Sequence, residues 1–598
     1  MKPYKAVKPQ DTIFRIRTIL HDLGIFTTEQ HMRNEGMYYS CRVFLDNDDI
    51  RRFDIGTNGK GMTAEYSLAS AYAELMERIE NRMLIYATKY ASKTFRQQNK
   101  ELNVQHFPEL SFRYFPDETF REITTDELWL YCQKLLPNVA KYGKNLIEGV
   151  TKYKMYFADF FNTTTGEVEH LPYHLLRLAA SSTGLCAGNI PEEAILQGLN
   201  EIFERFVLQQ IYLQRLTPPT IPFEVFEGTE IANRLHRLQA EKGWSIEVKD
   251  CSLGKEFPVL GLLLIDRVNN RYAFRLGADL SPIIALQRCF TEAFQGADAS
   301  ERYLQPIILD NDWDMSAEHN QSVVNGMGRF PRELFSTRYS WKFEGFMLKE
   351  QCSHKRDLLY IMQWLKANGY TLYIRDNSFL GFPAYHLFIP RLSEIDAKLY
   401  NVITDLKVNN DGFFNVKPEY RLQRLSKDEV CSLLEKYKYT TSSEVSLFPY
   451  NSHSFNQFNR LLLLALLSYS YGKDKNAYIY MKQFLDEKAS IGNKQDVYYY
   501  CIRDMFYAKS VNKEDEEILA MLSTIYTDSL VKEVLADMKD RNHVLKNFPI
   551  PSCFQCDRCN IRNNCSYPVI VSLENKIQKA QIEHCINQAN MNDLFNDI

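Results

Sequence analysis

Ser70-Ala-Tyr-Ala-Glu74-Leu-Met-Glu77-Arg78 carries two acids and an arginine at a spacing that returns downstream as Glu201-Ile-Phe-Glu204-Arg205. Around the first copy, Leu68, Ala71, Tyr72, Leu75 and Ile79 fall three and four residues apart. That spacing predicts a helix from Thr63 to Tyr86 with one buried face. At 3.6 residues per turn, Ser70, Glu74 and Glu77 lie within about 60° of one another. Glu193, Gln197, Glu201 and Glu204 lie within about 80° on the second helix. Each helix therefore presents a stripe of carboxylates. Like charges on one stripe repel by roughly a few tenths of a kcal/mol per pair, so something must offset them. Arg78 and Arg205 supply part of the offset. Divalent cations suit the remainder, because Mg²⁺ takes carboxylate oxygens and shares its other positions with phosphates.

A single Glu-x-x-Glu-Arg on a helix is most often a solvated salt-bridge lattice. Two copies, each in an otherwise apolar helix, weigh against that reading. Each also follows a glycine-rich stretch: Gly56-Thr-Asn-Gly-Lys-Gly61, and Ser182-Thr-Gly-Leu-Cys-Ala-Gly188-Asn189. Both read as turns whose backbone amides could meet phosphate at a helix N-terminus. The first is not a Walker A loop, since it lacks the four-residue spacer and the Ser or Thr after its lysine.

The motifs together resemble the YcaO family. Ser70-x-x-x-Glu74-x-x-Glu77-Arg78 is similar to its first ATP-binding motif, and Asn189-x-x-x-Glu193 with Glu201-x-x-Glu204-Arg205 to its second. Gln287-Arg288-Cys-Phe-Thr-Glu292-Ala-Phe-Gln295 is similar to the third, with Gln287 where the family has Glu. The resemblance covers roughly residues 1 to 540 and is nearest to the stand-alone bacterial branch. It implies an α+β YcaO fold, with mixed sheets and pseudo-duplicated helix-bearing halves, followed by an all-α C-terminal domain. It further implies ATP and Mg²⁺, with Glu74, Glu77, Glu201 and Glu204 as metal ligands. By the same resemblance Lys5, Thr12, Ser70, Glu74, Arg78, Asn189, Glu193, Arg205, Arg288 and Glu292 contact the nucleotide, its phosphates or the metal. The implied chemistry is phosphorylation of a peptide backbone amide oxygen, followed by attack of a nucleophile. The branch is associated with methylthiolation of a small-subunit ribosomal protein, so a radical methylthiotransferase is an implied partner and a homodimer the implied assembly. A second reading is a non-catalytic, ATP-binding scaffold that docks such an enzyme.

Azoline-forming members end in a Pro-rich tail, whereas this chain ends Asn592-Asp-Leu-Phe-Asn-Asp-Ile598. That terminus is expected outside the site, on the helical part or at a dimer contact.

The rest of the sequence frames these motifs. With 598 residues, the chain is long enough for two to four domains. Lys and Arg number 71 against 75 Asp and Glu. A net charge of −4 gives the surface no general attraction for nucleic acid or an anionic membrane. The longest apolar runs, Phe257 to Ile265 and Leu461 to Leu467, fall far short of the ~20 residues a bilayer span needs. No secretory h-region follows Met1 to Lys8, and the 13 cysteines are an odd, scattered set, so a reducing cytoplasmic setting is expected.

Residues 1–395 are expected as the mixed α and β part. Met37 to Leu45, Lys154 to Phe160 and Pro258 to Asp266 read as strands, and Arg271 to Leu276 pairs with the last of these across Asn269-Asn270. Residues 396–548 read as a helical domain of tetratricopeptide-like packing, with helices over Asn459 to Leu485 and Asp496 to Ser523. Residues 549–598 hold Cys553-x-x-Cys556-x-x-Cys559-x₅-Cys565 and a terminal helix from Leu573 to Leu594. Four thiols so spaced suit an iron–sulfur cluster or Zn²⁺. His170 and His174 do not make a metal pair, because Pro172 interrupts a helix between them.

Overall fold

A computed structural model describes residues 5–32, 36–47, 51, 55–83, 115–148, 152–296, 304–310, 312–395, 422, 425–440, 444–445, 458–490, 497–548, 550, 557, 559 and 567–595. The chain forms two compact units. The first comprises residues 1–89, 112–411 and 573–598; the second comprises 90–111 and 412–572.

The first unit holds three sheets. Strands β1 (Thr27–His31), β2 (Tyr39–Leu45) and β3 (Gly56–Gly61) make an antiparallel sheet in that order. Strands β4 (Thr119–Thr124), β5 (Lys152–Asn162), β6 (Glu167–Leu171) and β7 (Leu185–Ala187) belong to the second sheet. Strands β8 (Thr220–Ile221), β9 (Ser245–Asp250), β10 (Val259–Asp266), β11 (Arg271–Ala278) and β12 (Gln305–Pro306) form the third, in the order β12-β11-β10-β9-β8. Strands β13 (Tyr373–Asp376) and β14 (Ala384–Phe388) return to the second sheet, ordered β4-β5-β13-β14-β7 with β6 beside β5.

The apolar run of β10 has a simple cause. Val259 and Leu263 enter one core, with Phe203, Phe257 and Phe274. Leu260, Leu262 and Leu264 enter another, with Leu286 and Phe290. Side chains alternate across a strand, so a sheet covered on both faces is apolar at every position. The expected hairpin is present: Asp266 pairs with Arg271, and Asp266 Oδ1 accepts from the Val268 and Asn269 amides at 3.1 Å each.

Four helices position the motifs: α1 (Pro9–Asp22), α2 (Ala64–Glu80), α3 (Pro191–Gln214) and α4 (Pro282–Ala293). Each of the last three follows a strand: β3 leads to α2, β7 to α3 and β11 to α4. The Thr63 side chain caps α2 by accepting from the Tyr66 amide. Pro191 and Pro282 occupy first turns, where a missing N–H costs nothing. The expected apolar face of α2 is buried at Leu68, Ala71, Tyr72, Leu75 and Ile79. The helix stops at Glu80, before Arg82 takes a left-handed φ of 56°.

The two glycine-rich segments expected as turns contain strands. Gly56–Gly61 pairs along β2, and Leu185–Ala187 pairs with β14. Their glycines serve close packing. A Cβ on Gly59 would collide with the Ser67 carbonyl of α2, and one on Gly188 would come within 2.8 Å of the Ala194 amide. On β11, a Cβ at Gly277 would sit 2.5 Å from the Ala285 carbonyl of α4. The Gly188 amide already donates to the Pro383 carbonyl at 3.0 Å, so it is no phosphate donor.

The second unit packs helices Lys427–Lys438, Arg460–Ser470, Asp474–Ser490, Val497–Ser510, Asp515–Ile525 and Asp528–Met538 around Leu463, Leu467, Met481, Phe506 and Leu522. It is not purely helical, since Glu444–Val445 pairs with Phe458–Asn459. The helical stretch read over Asn459 to Leu485 comprises two helices, Arg460–Ser470 and Asp474–Ser490, that turn where Gly472 adopts φ 82°.

The terminal segment from Leu573 belongs to the first unit rather than the helical one. Met591 enters the core that holds α3, and the Phe595 ring stacks on Phe161 at 6.1 Å. Cys553, Cys556 and Cys565 lie outside the described residues; Cys559 is half-buried.

Candidate functional site

Helices α2, α3 and α4 bring all three motifs to one site, which has two chemically different ends. At the start of α3, the Thr12 hydroxyl donates to Asn189 Oδ1 at 2.7 Å, and Asn189 Nδ2 donates to Glu193 Oε1 at 3.0 Å. The Ala6 amide donates to Glu193 Oε2 at 2.7 Å, and Lys5 Nζ lies 3.5 Å from Oε1. Burial pushes the Glu193 carboxyl up, but Lys5, the Ala6 amide, His354 and Asn189 outweigh it and hold it below its ordinary value. Lys5 and Glu193 line a cleft with Gln197, Asn200, Asp279, Arg288, His354 and Asp357. Asn200 Oδ1 is buried there with no hydrogen-bond partner.

The other end is dominated by charge. Arg78 donates to Glu77 Oε1 at 2.8 Å and to Glu74 Oε1 at 3.2 Å. Arg205 Nε stands 3.9 Å from Glu201 Oε1. Burial, with Glu201 and Glu74 adding repulsion against the pull of Arg78, drives the Glu77 carboxyl up to about 8. Glu201 is raised for the same reasons, burial first, with Glu204 and Glu74 opposing the pull of Arg205 and Arg78. Carboxylates from two helices therefore lie within electrostatic reach of one another, with desolvation the main cause that raises them. Ser70 sits half-buried on α2, one turn before Glu74.

From α4, Arg288 Nη2 lies 3.7 Å from Asp279 Oδ2, and its Nε is buried without a hydrogen-bond partner, as is Arg205 Nε. Glu292 pairs with Lys60 of β3, and Gln295 Nε2 donates to the Asn58 carbonyl at 2.7 Å. Lys60 is ringed by Glu204, Glu74, Arg288 and Arg205, and burial pulls its ammonium down to about 8. Gln287, at the position of the family Glu, is half-buried and offers its carbonyl to the Thr291 hydroxyl at 3.0 Å.

Sequence reasoning missed Lys60, Asn200, Asp279 and His354. A signal for Lys60 existed. On a strand, alternate residues face opposite sides. Gly59 and Gly61 face α2, so Asn58 and Lys60 face α4. Reading the segment as a turn concealed that alternation. His170 is tied to Asp159 Oδ1 at 2.7 Å and to Thr119 Oγ1 at 2.6 Å, while His174 is buried in the helix Tyr173–Ala180.

Among the described residues, no three His, Cys, Asp or Glu side chains are gathered in a metal-binding arrangement. A cation here would take one or two carboxylates at a time and complete its shell from ligand and water, as Mg²⁺ commonly does.

Residues 58–393, more than half of the chain, match the family model described as YcaO cyclodehydratase, ATP- and Mg²⁺-binding. The chain belongs to the YcaO family. Among curated proteins it is similar to the Escherichia coli ribosomal protein S12 methylthiotransferase accessory factor YcaO, 25% identical over 406 residues. That alignment spans 66% of each chain, just under two thirds of the relative. A Haemophilus influenzae uncharacterised protein is 21% identical over 546 residues, covering 88% of this chain and 90% of its own. Among solved structures, a heterocyclase in complex with substrate and cofactor aligns with a TM-score of 0.45 and 17% identity, over 65% of this chain and 53% of that one. YcaO from Methanopyrus kandleri, bound with AMPPCP and Mg²⁺, aligns with a TM-score of 0.42 and 16% identity, over 66% and 93%. No described helix is long and apolar enough to cross a membrane.

Proposed function

We propose that this chain binds ATP with Mg²⁺ and uses it to activate a backbone amide of a peptide or a small-subunit ribosomal protein. The observation that carries the reading is the meeting of Glu77 and Glu201 across α2 and α3, two half-buried carboxylates whose charges repel and whose ionised forms burial disfavours. A hard divalent cation relieves that repulsion, and carboxylate oxygens are the donors it prefers. Glu74, Glu77, Glu201 and Glu204 would hold it. Bound there, Mg²⁺ would draw negative charge from phosphate oxygens.

The protein's own groups do the rest. Arg78, Arg205 and Arg288 face the phosphates, and Ser70 and Glu292 border them. Lys5, Thr12, Asn189 and Glu193 hold the other end of the nucleotide. In the proposed reaction the amide oxygen takes the terminal phosphoryl group and ADP leaves. A nucleophile then adds to the amide carbon, and inorganic phosphate departs with the former amide oxygen. An amide oxygen is a poor leaving group and phosphate a good one, so the site need only position and neutralise.

The name of the Escherichia coli relative supports a ribosomal-protein substrate and a methylthiotransferase as partner, and we extend both to this chain. A cytoplasmic homodimer, a tetratricopeptide-like second unit and a metal on the four cysteines belong to the same proposal.

The test compares small-subunit ribosomal proteins by mass spectrometry from cells with and without the chain, alongside ATP hydrolysis by the purified protein. A mass change at one ribosomal protein, with Mg²⁺-dependent hydrolysis, is expected. ATP binding without hydrolysis in the presence of those proteins would replace the enzyme with a scaffold.

A further inference from the structure

The site's two ends differ in the ligand chemistry they can meet. Glu193 and Glu201 are eight residues apart on α3, roughly 12 Å at 1.5 Å per residue. The cleft at the Glu193 end presents the side-chain amides of Gln197 and Asn200 beside the Glu193 carboxylate, which Asn189, the Ala6 amide and Lys5 hold in place. Such groups suit the neutral, hydrogen-bonding nucleoside. The Glu201 end concentrates carboxylates and cations, which suit a polyphosphate and its metal. A nucleotide lying along α3 therefore extends its phosphate tail toward Glu201 and Glu204.

Three arginines and one lysine stand at or beside that tail. Arg78 is committed to Glu74 and Glu77 of its own helix, Arg205 faces Glu201 of its own helix, and Arg288 faces Asp279. Lys60 differs. It comes from a strand, reaches across to Glu292 of α4, and remains 30% exposed among Glu74, Glu204, Arg205 and Arg288. Its backbone is fixed, because Gly59 and Gly61 on either side pack against α2 too closely for any Cβ. An ammonium has three protons on a flexible stem. It can keep Glu292 with one and offer the other two to an anion.

We propose that Lys60 is a catalytic residue that grips the terminal phosphate of the nucleotide and follows it during transfer. This rests on the ATP reading above. The lysine would act as a point charge on the transferred phosphoryl group, beside the arginines that face the phosphates. No bond forms to the amine; it donates hydrogen bonds to phosphate oxygens throughout.

The test measures binding by calorimetry for AMPPCP·Mg²⁺ and ADP·Mg²⁺ with wild type, Lys60→Met and Lys60→Arg. Lys60→Met should weaken AMPPCP·Mg²⁺ by about 10- to 100-fold, the effect of one lost charge-assisted contact, and ADP·Mg²⁺ by less than about threefold. Lys60→Arg should recover most of the difference. Equal losses for the two nucleotides, or none, would overturn the assignment. Wild type is tested in parallel by acetylation with peptide mapping, which needs no folded variant. AMPPCP·Mg²⁺ should protect Lys60 from the reagent and ADP·Mg²⁺ should not; equal labelling under both overturns the proposal. Failure of wild type to bind either nucleotide would instead overturn the ATP reading itself.

Discussion

Arg82 Nη2 stands 2.7 Å from Glu574 Oε2, with the two side chains 1% and 10% exposed. Arg82 follows α2 by two residues in a left-handed backbone conformation, and its Nη1 also donates to Gln581 Oε1 at 3.2 Å. The terminal segment thereby holds the end of the helix that carries Glu74, Glu77 and Arg78. Gln588 adds a second hold, accepting from the Asp376 amide at 2.7 Å and donating to its carbonyl at 2.9 Å. The neighbouring Asn377 donates to Asn81 Oδ1 at 2.9 Å.

Glu574→Gln should therefore cost stability and loosen the site. Removing one partner of a buried pair typically costs about 3–5 kcal/mol, and the amide recovers part of it. A loss of about 2–3 kcal/mol in denaturant unfolding is expected, with ATP·Mg²⁺ binding weakened at temperatures where the variant stays folded. Unchanged nucleotide affinity would show that α2 holds its place without the clasp.

Glu77 sets a pH dependence. Its folded pKa, about 8 without metal, lies above the unfolded value, so between roughly pH 4.5 and 8 the folded protein holds a proton that the unfolded chain releases. Stability of the metal-free protein should fall as pH rises through that window. Mg²⁺ competes with the same proton, so its affinity should rise with pH toward 8. Glu77→Gln should flatten the stability slope and abolish the Mg²⁺-dependent rise in melting temperature caused by ATP. Glu204→Gln should abolish that rise as well. Thermal unfolding from pH 5 to 8.5, with and without Mg²⁺ and ATP, checks both statements. A wild-type rise in both variants would remove these carboxylates from the metal shell.

The physics that made the motifs readable also explains what stayed hidden. The apolar faces of α2 and β10 were legible because burial leaves a local period in the sequence. Gly56–Gly61 was not, since Gly, Asn and Lys disfavour strands. Pairing with β2 and the close approach of α2 impose that strand, and neither is a local property. Lys60 was hidden with it. The return of Leu573 and the residues beyond it to α2 rests on contacts spanning hundreds of positions, among them Arg82 with Glu574 and Phe161 with Phe595. No periodicity announces such contacts.

Gln287 departs from the family Glu, and its place on α4 predicts a silent reversal. Five helical steps separate it from Glu292, about 140° around the helix. Gln287→Glu should leave the Mg²⁺ dependence of ATP turnover within about twofold of wild type, less than ~0.5 kcal/mol. A titration of turnover against Mg²⁺ reads this directly. A tighter Mg²⁺ requirement in the variant would place residue 287 beside the ion.

The four cysteines call for a metal analysis. Anaerobic purification should give iron with broad visible absorbance, or about one zinc per chain. Cys559→Ala should lose it. Elemental analysis with absorbance spectra decides, and neither metal at meaningful occupancy would leave four ordinary thiols.

Deleting residues 592–598 separates a packing role from a catalytic one. Leu594 and Phe595 pack against the core that holds α3, and Phe595 lies nearly parallel to Phe161, with 9° between the ring planes. Both are only partly buried, so losing them should cost about 1–3 kcal/mol of stability. Met591 stays in place, as do Arg82, Glu574 and Gln588. Asp593 has no reason to approach the phosphates, because like charges in a partly dry cleft repel strongly. The truncated chain should therefore melt several degrees lower, yet bind ATP·Mg²⁺ within about threefold of wild type at 20 °C, under ~1 kcal/mol. Calorimetry on the folded variant, with circular dichroism as the control, measures both quantities. A collapse of nucleotide binding with the fold intact would mean that the last residues reach the site.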